Sequence, residues 1–195
     1  MDIKTFGVIG AGQMGNGIAQ VAAASGLDVI MSDIKDEFCE KGVAAITKNL
    51  DRMVKKEKID ADQRTEILGR INTTTDLSDM RSVDFVVEAA SENEDIKFNI
   101  FQDLDKICAS EAILATNTSS IPIGRIASKT HRPDKVVGMH FMNPVPVMKL
   151  VELIRGVATS VETFDTTWEL CERFGKTPAQ SADYPGFLAN RILMP

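Results

Sequence analysis

Cysteine is scarce and unpatterned in this 195-residue chain: Cys39, Cys108 and Cys171 form an odd set without a CxxC pair. Neither a disulfide framework nor a zinc knuckle is indicated, and reduced thiols predict a cytoplasmic setting. No apolar run approaches the roughly 18 residues that a spanning helix needs. Asp2 and Lys4 break up the start where a signal peptide would stand, so neither a membrane segment nor a signal peptide is expected. Basic residues are outnumbered, 22 against 28, for a net charge of −6. That balance gives no global attraction for a phosphate backbone and makes nucleic acid a poor candidate partner. Histidine is limited to His131 and His140, so imidazole chemistry has two places to happen. No internal repeat or low-complexity tract interrupts the chain.

What is present is the composition of an ordinary water-soluble fold. Hydrophobic residues make up 44% and charged residues 26%, which argues against wholesale disorder. A chain of this length accommodates one domain plus a fragment and buries on the order of 70% of its unfolded surface. Short apolar runs alternate with helical patterns from the start. Phe6–Ile9, Leu27–Met31, Val83–Val87 and Ala112–Ala115 read as strands, with helices over Met14–Ser25, Asp36–Lys58, Asp62–Gly69 and Glu94–Cys108. Ile71–Thr74, Val136–His140 and Lys149–Ile154 add strands, and Thr163–Phe174 is an amphipathic helix with Gly175 just past its end. This order predicts an α/β fold of the Rossmann type, a doubly wound and mostly parallel sheet.

Gly10-Ala11-Gly12-Gln13-Met14-Gly15 is a GxGxxG that follows a predicted strand and opens a helix. Gly10 permits the tight turn, Gly12 lets the backbone approach a pyrophosphate, and Gly15 lets helix and strand pack closely. Exposed amides at the helix start, including those of Gln13 and Met14, then bind the anion. Asp33 ends the second strand, 23 residues after Gly10. A carboxylate there accepts hydrogen bonds from both ribose hydroxyls of an adenosine and repels a 2′-phosphate, so NAD is favoured over NADP. Lys35, close by, leaves some NADP tolerance open.

His131 sits in the polar run Lys129–Pro133 and reads as solvated. His140 instead ends an apolar strand, and strand C-termini of open parallel sheets are where ligands bind. The run Asn143-Pro144-Val145-Pro146 should reverse the chain, because each proline fixes φ and pushes the preceding residue out of the helical region. A reversal centred near Pro146 places Glu152 opposite His140, provided the return is antiparallel. A carboxylate beside an imidazole fixes its tautomer and stabilises the imidazolium formed when it accepts a proton, the design of a general base. Without His140, Glu152 would read as a surface residue on an edge strand. Thr116-Asn117-Thr118-Ser119-Ser120 also follows a strand. One hydroxyl of this run is expected to cap the helix that Pro122 suggests; Ser120 suits that role, freeing Ser119 to face the site, although spacing leaves the two assignments open.

Lys48, Arg52, Lys55 and Lys56 fall at i, i+4, i+7 and i+8 and share one face of the long helix. Such a stripe is commonly a solvated exterior; beside a dinucleotide fold it can hold a second phosphorylated ligand, such as the 3′-phosphate of coenzyme A.

Taken together, GAGQMGNGIAQ (10–20), VVEAASEN (86–93), ATNTSS (115–120), HFMNPVPVMKLVE (140–152) and PGFLANRI (185–192) resemble the 3-hydroxyacyl-CoA dehydrogenase family, especially its short bacterial 3-hydroxybutyryl-CoA dehydrogenases. The resemblance covers nearly the whole chain. It implies that His140 is the general base and Glu152 its orienting partner, with Ser119 and Asn190 holding the reacting oxygen and the acyl-CoA carbonyl region. It places Glu92 and Lys97 near the nicotinamide ribose, Asn143 between nicotinamide and substrate, and Asn117 among the cofactor-binding residues. Coenzyme A would meet Ser119 and the stripe of Lys48, Asn49, Arg52 and Lys55, with Asn49 standing where some relatives have serine.

The implied reaction is reversible oxidation of an L-3-hydroxyacyl-CoA to a 3-ketoacyl-CoA in fatty acid or butyrate metabolism. A related hydroxy-acid dehydrogenase, such as L-gulonate 3-dehydrogenase, and a noncatalytic NAD-binding module are the alternatives. The resemblance also implies a following helical domain that supplies a homodimer interface and closes the acyl site. The chain is therefore expected to be an NAD-binding domain over 1–183 with only the start of that second domain over 184–195. Such a piece should bind NAD, turn over weakly, and have its dimer lost or altered.

Overall fold

The computed structural model describes residues 2–193. Its eight-stranded sheet has the order β3-β2-β1-β4-β5-β6-β7-β8. In chain order the strands are β1 (Thr5–Ile9), β2 (Asp28–Ser32), β3 (Ile71–Thr74), β4 (Phe85–Glu88), β5 (Ile113–Thr116), β6 (Val136–Phe141), β7 (Leu150–Arg155) and β8 (Thr177–Ala182). All neighbours run parallel except β6 and β7. The helices are α1 (Gln13–Ala24), α2 (Asp36–Lys55), α3 (Ala61–Gly69), α4 (Glu94–Ile107), α5 (Ile123–Ala127), α6 (Val161–Arg173) and α7 (Ala189–Leu193). The predicted elements are in place within a few residues at their ends, and the expected doubly wound sheet is the fold observed. Of the expected 184–195 piece, Met194 and Pro195 lie outside the described residues.

Strand alternation divides the apolar side chains between two layers. Phe6, Val8, Phe85, Val87, Val137, Met139, Val151 and Leu153 face α1, α2, α3 and α6, where Ile18, Ile46, Ile67, Phe164 and Leu170 complete one core. Val86, Leu114, Val136 and Ile154 face α4 and α5, meeting Phe101, Leu104, Ile123 and Ile126 in the other. His140 and Glu152 take the alternate positions of β6 and β7 and therefore point to the α5 side. Helix starts follow local chemistry: Asp60 and Gln63 form a capping box at α3, and Asn93 and Ser160 cap α4 and α6 through their side chains. Gly175, at φ +66, ends α6 as expected.

Strand β8 was not anticipated. Its sequence TPAQSA lacks the β-branched run of a central strand, but as an edge strand it tolerates Pro178. Its pairing with β7 puts Glu152 in an interior strand with 1% exposure, so the edge-strand alternative for Glu152 does not hold. The second departure is at α2, which ends at Lys55 instead of Lys58 because Glu57 adopts φ +54 and the Lys58 amide turns back to the Met53 carbonyl. Among the described residues no helix is long and apolar enough to cross a membrane.

Candidate active site

The sheet order reverses between β1 and β4, and a cleft of about 680 Å³ opens at that switch point, lined among others by Gly10, Gly12, Asp33, Lys41, Ala90 and Ser91. Gly10 sits at φ +99, where a Cβ would also lie 2.7 Å from the Ala89 carbonyl. A Cβ on Gly15 would lie 1.7 Å from the Gly10 carbonyl oxygen. Gly12 differs: a Cβ there meets no atom of the described residues within 4 Å. No packing within the protein requires that glycine, whereas a ligand lying on the loop would, and this cradle fits a dinucleotide pyrophosphate. Asp33 Oδ2 accepts the Ala11 amide at 2.7 Å and Oδ1 the Ile34 amide at 2.7 Å, so the carboxylate is held on the cleft wall with lone pairs remaining.

Gly12→Ala should therefore fold with an unchanged urea midpoint yet raise the NADH dissociation constant by at least about tenfold. Calorimetric titration beside urea denaturation checks both halves.

A second cluster is organised around Glu92. Its Oε1 accepts the Thr118 hydroxyl at 2.6 Å, the Ser119 amide at 2.9 Å, the Ser120 hydroxyl at 2.9 Å and the Ser120 amide at 3.1 Å. The Ser119 hydroxyl lies at 3.4 Å from the same oxygen. Lys97 Nζ stands 3.4 Å from Oε2. Partial burial pushes this carboxyl up, but the Thr118 hydroxyl, the Lys97 charge and the serine donors together outweigh it and hold Glu92 below its ordinary range. Neither serine caps α5, so the capping role expected for Ser120 is corrected. The amides of Ile123 and Gly124 instead meet the Asp183 carboxylate at 2.7 and 2.8 Å.

Lys97 itself is buried. Its ammonium contacts Glu88 at 2.7 Å, and Glu88 also accepts the Ala90 amide and the Thr116 hydroxyl, each at 2.7 Å. Lys97 thus sits behind Glu92, a support for it instead of a group open to the cleft. Glu88 was missed in the sequence, although a lone acid closing the apolar run Phe85-Val86-Val87 was a signal for it.

A depressed folded-state carboxyl contributes stability that is complete above its unfolded value and is lost as pH falls through the folded value. The advantage of the parent over Glu92→Gln should accordingly be full at neutral pH and shrink only below the ordinary value of 4.5. Urea midpoints of both proteins across an acid series check this.

The third cluster joins β6, β7 and the segment before α7. His140 and Glu152 are direct register partners, as the proline bend predicted. Nδ1 of His140 lies 2.7 Å from Glu152 Oε2. A carboxylate only accepts, so in the tautomer this contact selects Nδ1 carries the proton of the neutral ring and Nε2 the lone pair. Phe187 packs against the imidazole with ring centroids 5.9 Å apart. Glu152 Oε1 accepts the amides of Leu188 and Ala189 at 2.9 and 2.7 Å, and Asn190 Nδ2 donates to the Ser119 carbonyl at 3.1 Å. Asn117 Oδ1 accepts the Phe141 amide at 2.8 Å, tying the end of β6 to the serine run. His131 is solvent-exposed and bonded to Asp105 at 2.8 Å, away from these groups.

The bend between His140 and Glu152 rests on α1. Gly17 admits it, since a Cβ there would lie 2.8 Å from Val145 Cβ, and Gln13 Nε2 donates to Asn143 Oδ1 at 3.2 Å. The buried ammonium of Lys176, pushed below its usual range by desolvation, donates to the Val145 and Met148 carbonyls. Histidine, bend and phosphate loop therefore share one frame.

On the outer side of that bend a cleft of about 330 Å³ is lined by Asn49, Arg52, Met53, Lys56, Lys58, Pro146 and Val147. Lys48 and Lys55 do not line it. The early end of α2 brings Lys58 round to it, beside Lys56. Asn49 donates to Gln20 at 2.8 Å and so also ties α2 to α1.

A glycine-rich loop at a sheet switch point, with a carboxylate-held imidazole at the end of β6 in the same sheet, defines a nucleotide-binding α/β domain of the dehydrogenase class. Comparison with known proteins narrows the class. The profile of 3-hydroxyacyl-CoA dehydrogenase, NAD binding domain, matches residues 5–184, and the chain belongs to that family. It is 54% identical over 190 residues, 97% of its length, to the Deinococcus radiodurans protein named probable 3-hydroxybutyryl-CoA dehydrogenase, of which it covers 68%. It is 48% identical over 193 residues, 99% of its length, to 3-hydroxybutyryl-CoA dehydrogenase of Bradyrhizobium diazoefficiens, covering 66% of that protein. The crystal structure of (S)-3-hydroxybutyryl-CoA dehydrogenase PaaH1 from Ralstonia eutropha superimposes with a TM-score of 0.97 at 48% identity, over 98% of this chain and 68% of that one. The chain thus spans about two thirds of the length of these relatives.

Proposed function

We propose that the chain carries the cofactor-binding and proton-transfer half of an NAD-dependent oxidation of L-3-hydroxyacyl-CoA, with 3-hydroxybutyryl-CoA as the substrate class. The observation that carries this reading is the His140–Glu152 pair at 2.7 Å, mounted on a bend that also touches the phosphate loop. NAD, when bound, supplies the hydride acceptor. Gly10, Gly12, Gln13, Met14 and Gly15 would hold its pyrophosphate, Asp33 its adenosine ribose, and Glu92, Asn117 and Asn143 its nicotinamide half, with Lys97 setting Glu92. Nε2 of His140 takes the hydroxyl proton of the substrate, so no isolated alkoxide forms, and Glu152 stabilises the imidazolium. Ser119 and Asn190 orient the reacting oxygen and the thioester carbonyl region. In this reading Asp33 favours NAD over NADP, residues 1–183 form the cofactor domain, and residue 184 onward opens a second domain through which the longer relatives would pair.

The 330 Å³ cleft supports coenzyme A over a free hydroxy acid, because Arg52, Lys56 and Lys58 line it together with the apolar Met53, Pro146 and Val147. Arg52→Glu with Lys56→Glu should weaken CoA binding by more than about tenfold, flatten its salt dependence and leave NADH binding unchanged. Calorimetric titrations at two ionic strengths check this. The direct test of function is NADH and NADPH oxidation followed spectrophotometrically with acetoacetyl-CoA and with free keto acids. Acetoacetyl-CoA-dependent oxidation of NADH supports the reading. Oxidation only with free acids favours the gulonate-type alternative, and nucleotide binding without oxidation leaves a noncatalytic module.

A further inference from the structure

We propose that Glu152, besides orienting His140, is the positioning residue for Asn190: one carboxylate sets both the imidazole and the segment that carries the carboxamide. The inference rests on the site assignment above and adds a role for the oxygen of Glu152 that does not face the histidine. Oε2 meets Nδ1 of His140, while Oε1, equally buried, accepts two consecutive amides, Leu188 at 2.9 Å and Ala189 at 2.7 Å. The next residue is Asn190, whose side chain reaches the Ser119 carbonyl at 3.1 Å.

Among the described residues little else holds this segment on that side. Leu188 and Ile192 are 47% and 70% exposed, so Phe187, at 2%, supplies its main apolar anchor. The backbone that delivers the two amides is bent on purpose. Gly186 sits at φ +79 and Phe187 at φ +48, the second a left-handed conformation that a bulky side chain adopts only when its surroundings hold it there. Upstream, Asp183 is fixed by the Ile123 and Gly124 amides. The turn between Asp183 and Asn190 is therefore stretched between two carboxylates, and Glu152 is the one that also touches the base. Charge-assisted bonds from two amides are strong enough to hold such a turn.

Amide hydrogen exchange of the 15N-labelled 195-residue chain tests this without requiring turnover. In the parent, the Leu188 and Ala189 amides should be protected. In Glu152→Ala both should exchange about 10- to 100-fold faster, the range expected for losing a bond to a charged acceptor, and the Asn190 carboxamide protons should lose their distinct shifts. The Val151 and Leu153 amides of β7 should stay slow, which separates release of the segment from general unfolding. In Glu152→Gln the carboxamide oxygen still accepts, so protection should return to within a few fold of the parent. The Leu188 and Ala189 proton resonances should then move upfield together, because the acceptor is no longer charged. That variant carries the test if the alanine variant does not fold.

Random-coil exchange of Leu188 and Ala189 in the parent would overturn the proposal. So would exchange unaltered in Glu152→Ala, or shifts unmoved in Glu152→Gln. If these amide effects appear but the parent oxidises no NADH with acetoacetyl-CoA, the role in placing Asn190 stands and the catalytic reading falls. If the amide effects are absent while oxidation is present, the reverse holds.

Discussion

Glutamine in place of His140 is expected to slow acetoacetyl-CoA reduction by about 10²- to 10⁴-fold while leaving NADH affinity within a few fold of the parent. Glutamine fills the same space and retains a hydrogen-bonding head, so the packing of Phe187 and the acceptor Glu152 are disturbed little. What it removes is the group that shuttles a proton. Under the proposed mechanism, the imidazolium would give its Nε2 proton to the forming alkoxide in the reductive direction, and a carboxamide has no proton of comparable acidity to give. Single-turnover absorbance traces at 340 nm, with protein in excess over acetoacetyl-CoA, isolate that step from substrate binding. A rate within a few fold of the parent would remove His140 from the mechanism.

Lys97→Met is expected to cost about 3–5 kcal/mol of folding stability, a large share of what a domain of this size has. Lys97 and Glu88 are 1% and 0% exposed at the side chain, so deleting the ammonium leaves a carboxylate in the interior with an amide and a hydroxyl but no cation. The loss follows from stranding a charge, not from the intrinsic worth of the pair. Glu88→Gln with Lys97→Met, which removes both charges, keeps an acceptor oxygen for the Ala90 amide and offers the Thr116 hydroxyl an amide N–H to accept, should therefore recover most of the stability. Guanidinium unfolding of the parent, single and double variants measures this. A single variant less than about 1 kcal/mol below the parent, or a double no better than the single, would contradict it. The single variant should also bind NADH more weakly, since Glu92 loses the cation behind it.

The sheet was legible because parallel strands buried on both faces leave continuous apolar runs, and because Gly10, Gly12, Gly15 and Asp33 stand at spacings that a nucleotide-binding turn demands. The His140–Glu152 register was legible for a different reason: Pro144 and Pro146 force a reversal, and an antiparallel return fixes which residues meet. Strand β8 was hidden because an edge strand needs no hydrophobic alternation, and its absence from the sequence reading left Glu152 looking more exposed than it is.

The serine run shows where spacing stops being informative. Ser119 and Ser120 are chemically equivalent in sequence, and only the arrival of Glu92 from another loop decides that both turn to it, while Asp183, far along the chain, caps α5. Long-range partners of this kind leave no periodic trace. The end of the cationic stripe was less legible: a single left-handed residue, Glu57, turns the chain so that Lys58 joins Arg52 and Lys56 at the cleft, which Lys48 and Lys55 do not line. The buried Lys97 was carried over as a cofactor neighbour; its pairing with Glu88 had a trace only in the solitary acid of β4.

Because the chain has two histidines, one exposed and one buried, 15N-resolved spectra of the imidazoles give the most direct test of the central claim, that Glu152 holds Nδ1 of His140 and leaves Nε2 free to act as the base. His140 should show a protonated Nδ1 and an unprotonated Nε2, and the Nε2 resonance alone should shift when NADH and acetoacetyl-CoA are added, with His131 unmoved. A proton on Nε2 in the neutral ring, or an Nε2 signal indifferent to both ligands, would contradict the assignment of His140 as the base.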